Sequence, residues 1–94
     1  MTDHESKLES PQLGSVEIAG FKGDVATVRT STPRPPGTRV DLADPATPGP
    51  LAQGKVVGVR AVKTGPGLWE LDIKLFAPTR AARARLAELS APRS

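Results

Sequence analysis

The chain of 94 residues has no cysteine and no tyrosine, and only one histidine, one tryptophan and two phenylalanines. Without cysteine there can be neither a disulfide framework nor a thiolate metal site, and a reducing compartment is compatible with the composition. The lone imidazole, His4, stands in a polar stretch with no ligand set beside it, whereas a zinc site takes about four donors. No G-x-S-x-G elbow, phosphate loop or dinucleotide glycine fingerprint is present. So few residues suited to acid–base or nucleophilic chemistry point to a non-enzyme without a cofactor. Long apolar runs are also missing: nothing approaches the roughly 18 consecutive apolar residues of a membrane-spanning helix, and no membrane insertion is expected. The opening Met1-Thr2-Asp3-His4-Glu5-Ser6-Lys7 lacks the basic and apolar regions of a secretory leader, so the chain reads as cytoplasmic.

Glycine and proline are abundant, with nine and ten copies, and in a non-repeating sequence they mark many turns and short elements rather than a helical bundle. The length allows a single domain. Net charge is +3 but uneven: residues 1–50 carry five basic and seven acidic groups, and residues 51–94 carry eight basic and three acidic.

Residues 1–13 show no apolar period and read as a flexible tail, and residues 91–94 as a disordered end. Between them, residues 14–90 form the folded unit. Ser15 to Ala19 is a short strand, Gly20 and Gly23 bracket Phe21-Lys22 as a tight connection, and Asp24 to Thr30 is a β-branched second strand. Pro36-Gly37 supplies the fixed φ and the permissive φ of a type II turn. Val40 and Leu42 alternate with Arg39 and Asp41 in a third strand, Thr38 to Ala43. Asp44 to Pro50, with three prolines, reads as an exposed loop. The apolar residues of Gln53 to Lys63 fall on both parities, so this fourth strand is either covered on both faces or bent at Gly58.

After Gly65-Pro66-Gly67, Leu68 to Phe76 alternates cleanly, with Trp69, Leu71, Ile73 and Leu75 on the core side and Glu70, Asp72 and Lys74 on a solvated face. Pro78 or Thr79 opens a helix whose Ala82, Leu86 and Leu89 fall at i, i+4 and i+7, and which ends near Ser90. The expected fold is mainly β: a small antiparallel barrel or curled sheet with one C-terminal α-helix.

Three places could contact a partner. Phe21, Lys22 and Gly23 form a hairpin tip with an aromatic that the turn does not need. Arg29, Arg34 and Arg39 cluster around the proline-rich turn. Arg80 and Arg83 stand in the first turns of the helix, where positive charge opposes the helix dipole. Nucleic-acid binding through the basic C-terminal half is a further reading, weakened by the scarcity of aromatics for base stacking.

The order of elements resembles bacterial PilZ domains over about residues 14 to 89. The resemblance is carried by Val25-Ala26-Thr27-Val28-Arg29-Thr30, by Pro33 to Leu42, by Gly54-Lys55-Val56-Val57-Gly58-Val59-Arg60, by a strand ending Leu75-Phe76, and by Arg85-Leu86-Ala87-Glu88-Leu89 in the helix. It implies a six-stranded barrel of which only five strands are placed, the sixth lying in Pro50 to Gln53 or missing. It also implies a setting in bacterial second-messenger signalling or motility. Many PilZ domains bind cyclic di-guanosine monophosphate through R-x-x-x-R before the first strand and [D/N]-x-S-x-x-G after it. Here residues 1–13 contain no arginine. With Gly23 as the motif glycine, Ile18 and Gly20 replace the acid and the serine; with Glu17 as the acid, Ala19 and Lys22 replace serine and glycine. The expectation is therefore a binding module that contacts another protein, with weak or no dinucleotide binding. A dinucleotide receptor using Arg29, Arg34 or Arg39 is the alternative.

Overall fold

The computed structural model describes residues 7–45, 50–63 and 67–90. The expectations for residues 1–6, for 91–94 and for the middle of the proline loop lie outside them. Six strands and one helix follow in order: β1 (Lys7–Ser10), β2 (Gly14–Lys22), β3 (Val25–Thr30), β4 (Arg39–Ala43), β5 (Pro50–Ala61), β6 (Trp69–Leu75) and α1 (Arg80–Ser90). The strands close an antiparallel barrel in the order β1-β2-β3-β6-β5-β4. The mainly-β barrel with a terminal helix expected from the sequence is what the chain forms.

The sixth strand corrects the sequence reading. It is β1, inside the stretch assigned to a flexible tail, and Pro50 to Gln53 instead begins β5. Four residues are too few to display a period, yet Lys7 and Glu9 face out while Leu8 and Ser10 are buried. Burying a leucine is worth about 1.5–3 kcal/mol, and pairing β1 with β2 also removes a free sheet edge. The seam between β1 and β4 has one register pair, Glu9 with Ala43. Gln12 extends it: its Oε1 accepts from the Asp41 N–H at 2.9 Å, and its Nε2 donates to Asp41 Oδ2 at 3.1 Å.

Three register shifts interrupt the ladders: one lies between Leu42 and Ala43 on β4, and the other two, in β2 and β5, decide which charges face out. In β2 the register shifts between Ile18 and Gly20, so that beyond Ala19 the inward parity changes from even to odd. Phe21 then pairs with buried Ala26 and packs against the core, and Lys22 faces solvent opposite Val25. Phe21-Lys22 is thus strand rather than connection, and the two-residue turn is Gly23-Asp24, with Gly23 at φ 62°. In β5 the shift lies between Val56 and Gly58. It leaves Val57 47% exposed, keeps Val56 and Val59 toward the core, and turns Arg60 outward. This is the bend at Gly58 that the mixed parity of the run left open.

Pro36-Gly37 makes the expected reversal, with Gly37 at φ 96° and the Thr38 N–H donating to the Pro35 carbonyl at 3.2 Å. Trp69, assigned to the core by phase, sits at the end of β6 and is only half-buried. The core joins barrel and helix: Leu8, Val28, Val40, Leu71, Ile73 and Leu86 all lie at 0% exposure.

Thr79 caps α1, its Oγ1 accepting from the Ala82 N–H at 3.0 Å. Two arginines clamp the helix to the wall. Arg83 pairs with Asp24 at 3.0 Å, and Arg85 donates to Asp44, whose side chain is 3% exposed. Asp44 is therefore buried rather than part of an exposed loop, and Pro50 pairs with Ala43 at the start of β5.

Candidate binding surface

Antiparallel pairing places directly opposed side chains on the same face about 5 Å apart, so register turns charges scattered along the chain into rows. Two rows cross the outside of this barrel, and they differ in charge pattern.

The first row reads Lys7, Glu17, Arg29, Glu70, Arg60 across β1, β2, β3, β6 and β5, each opposite the next. Its signs alternate without exception. Arg29 Nε lies 3.1 Å from Glu70 Oε2, and Arg60 Nη2 lies 3.3 Å from Glu70 Oε1. Arg60 also reaches Asp72 through Nη1 at 2.7 Å. The hydrogen bonds from Arg60 hold the Asp72 carboxyl below the usual carboxylate range, helped by the Thr27 hydroxyl at 2.8 Å and opposed by partial burial. The same carboxylates push the Arg60 guanidinium further up, Asp72 first. From Glu17 to Arg60 the charges of this row are joined by ion pairs, and Lys7 stands in register opposite Glu17.

The second row reads Lys22, Val25, Lys74, Lys55, Arg39 across β2, β3, β6, β5 and β4. All four charges are positive and exposed, and none of them is ion-paired among the described residues. Like charges directly opposed on neighbouring strands destabilise a sheet. The stretch Lys74, Lys55, Arg39 lies on three consecutive strands and faces one way, while Lys22 lies two strands further round the wall.

Phe76 borders this stretch. Its N–H donates to the Gln53 carbonyl at 2.8 Å, the residue is 41% exposed, and the Arg39 guanidinium lies 5.7 Å from the ring centroid. A shallow groove of about 210 Å³ runs beside it, lined by Pro50, Leu51, Gln53, Phe76 and Pro78 among others. Ala77, at the lip, is the one non-glycine among the described residues with positive φ, at 41°.

The residues singled out from the sequence are thus dispersed. Arg39 and Lys22 lie in the basic row. Arg29 belongs to the alternating row, Arg83 is engaged by Asp24, and Arg34 donates from Nε to the Gln12 carbonyl at 3.1 Å, bracing the β1–β4 seam. Phe21 faces the core, Gly23 forms the turn, and Arg80 is exposed at the start of α1. The proline-turn cluster of Arg29, Arg34 and Arg39 therefore does not form a common site: each guanidinium has its own neighbour on a different part of the wall.

Lys55, Lys74 and Phe76 were not singled out. Strand alternation marks both lysines as outward, but that they face each other and Arg39 depends on register, which no local pattern encodes. Among the described residues, no group of three or more histidine, cysteine, aspartate or glutamate side chains is placed to hold a metal, and no helix is long and apolar enough to cross a membrane. Compared with protein-family models, with curated proteins and with solved structures, the chain matches none.

Proposed function

We propose that this barrel is a non-catalytic, cytoplasmic binding module of the PilZ type that works by contact with another protein in bacterial second-messenger signalling or motility, and that Lys74, Lys55 and Arg39 form its contact surface. The observation that carries this reading is the unpaired basic stretch beside Phe76, on a barrel whose other charged row alternates in sign and holds Arg29, Glu70 and Arg60 in ion pairs. Stability alone favours alternation on both rows, so three opposed cations on adjacent strands call for an external anion. The closed six-stranded barrel with a terminal helix is in keeping with the fold that the PilZ resemblance implies.

Cyclic di-guanosine monophosphate binds weakly or not at all in this reading. Residues 1–13 contain no arginine, and the arginines proposed as substitutes point to separate neighbours. Isothermal titration with the dinucleotide is expected to give no heat of binding, and a micromolar affinity overturns this part. For the contact surface, affinity capture is run with the unmodified protein and with Lys55→Glu/Lys74→Glu. A protein retained by the first and lost from the second supports the reading. An identical set of captured proteins with both sinks it.

A further inference from the structure

The dimensions of the basic stretch carry the reading one step further, to the shape of the partner. We infer that Lys74, Lys55 and Arg39 receive an acidic α-helix laid across the strands, presenting about one carboxylate per turn, with an apolar side chain entering the groove beside Phe76. This rests on the contact-surface reading given above.

The spacing selects the helix. The three cations occupy successive strands of one register row, so they repeat at the strand separation of about 4.8 Å and span about 10 Å. Carboxylates at i, i+4 and i+7 of a helix lie on one face and span about 10.5 Å at a rise of 1.5 Å per residue. Three same-face residues of an extended segment span about 13 Å. The helix departs from the row by about 1 Å over its length, and the extended chain by about 3.5 Å. Lysine and arginine stems absorb the smaller difference by a change of rotamer.

Strand addition is disfavoured for a second reason. The barrel is closed, and on β4, beyond its single pair with β1, the Asp41 N–H is already taken by Gln12. A partner must therefore lie on the wall rather than extend a sheet. The groove gives such a helix its apolar anchor: Leu51 and Phe76 are partly exposed there, and Pro50 and Pro78 keep its rims free of further backbone donors. Arg39 has two uses in this arrangement, covering one face of the Phe76 ring while keeping its charge in the row.

A nucleic acid fits less well. Sequence-tolerant binding of single strands draws on several open aromatic faces. Here the neighbouring aromatic is Phe76 alone among the described residues, and Arg39 stands over it.

The test uses fluorescence anisotropy on the whole protein with three probes. The first is an alanine-based helical peptide of about five turns, with glutamates at i, i+4 and i+7 and a leucine on the same face. The second is its isomer with the glutamates distributed round the helix, and the third is a single-stranded oligonucleotide. The phased peptide is expected to bind roughly tenfold or more tightly than its isomer, a difference of about 1.4 kcal/mol. That advantage should vanish in Lys55→Glu/Lys74→Glu and shrink in Lys55→Gln/Lys74→Gln, with unchanged circular dichroism confirming that both variants fold. Equal binding of the two peptides, lost together in the charge-reversed variant, overturns the helix and leaves the contact surface standing. Failure of the phased peptide to bind, or binding indifferent to both variants, also overturns the helix, and the capture experiment then decides the surface separately. Tighter binding of the oligonucleotide, with a salt slope near −2 as three neutralised phosphates on a single strand require, replaces the helix with nucleic acid.

Discussion

Lys55 and Lys74 stand directly opposite one another on β5 and β6, and Arg39 stands opposite Lys55 on the other side, so a lysine in the middle of the sheet has a cation on each flank. Four residues away along β6, Glu70 is flanked in the same manner by Arg29 and Arg60, and there the signs are complementary. Two rows of one barrel wall thus follow opposite electrostatic rules.

Stability should respond accordingly. Lys55→Glu converts two repulsive cross-strand pairs into attractive ones and is expected to stabilise the fold by about 0.3–1 kcal/mol, while weakening the contact surface. Chemical denaturation at low salt measures the gain, which should fade as salt screens exposed charges. A loss of stability at low salt would show that the row is not under repulsive strain.

The Arg60–Asp72 pair has a definite pH signature. Because Asp72 binds its proton less tightly in the folded chain than in the unfolded one, the stability it contributes is fully present above the ordinary carboxylate range and is lost as pH falls through the lowered folded value. Both side chains are partly exposed, at 51% and 26%, so solvent screening limits the pair to about 1 kcal/mol or less. Wild type and Asp72→Asn, compared by denaturation across pH, should differ near neutrality and converge as pH falls through the lowered folded value of Asp72. A difference that persists in acid would assign the effect to packing instead.

Gly54 is required by the close approach of β5 to β6. A Cβ there would lie 2.4 Å from the Lys74 carbonyl oxygen and 2.8 Å from Ile73 Cγ2, both fixed by the ladder and the core. Gly54→Ala should therefore cost about 1–3 kcal/mol. Gly20→Ala, with nothing within 4 Å of the added methyl, should change stability by no more than about 0.5 kcal/mol. Equal effects in thermal melts would contradict the geometry.

The seam gives a local prediction. Gln12→Ala removes two hydrogen bonds to Asp41 and is expected to cost about 1–2 kcal/mol. Hydrogen exchange should report faster opening of β1 with little change in β3 and β6, which lie on the far side of the barrel. Uniform acceleration across all strands would indicate that β1 opens only with the whole fold.

Much of the architecture was legible in the residues. Alternation in Leu68 to Phe76, the Pro36-Gly37 turn and the i, i+4, i+7 spacing of Ala82, Leu86 and Leu89 each report a local preference that the tertiary structure has no reason to override. The errors share a cause. Lys7–Ser10 is a strand because Leu8 is buried by partners distant in sequence, and Phe21 turns inward because a bulge at Ala19 changes parity. Neither effect leaves a trace in a short window.

The sequence by itself determined the class: a small, turn-rich, mainly-β chain without cysteine, with a positive C-terminal half and a final amphipathic helix. Those properties follow from composition and from periods of two and 3.6 residues, which short-range sterics and one-sided burial impose. Only the tertiary structure decided which charges become neighbours. Lys55 and Lys74 are 19 positions apart in the sequence, and Arg39 stands 16 positions before Lys55, yet register sets the three side by side. Register depends on three shifts along the ladders and on closure of the barrel by β1, which go with the burial of Leu8, Val56 and Ile73 in one core. The basic face is a consequence of that packing, and it came into view only when the strands were paired.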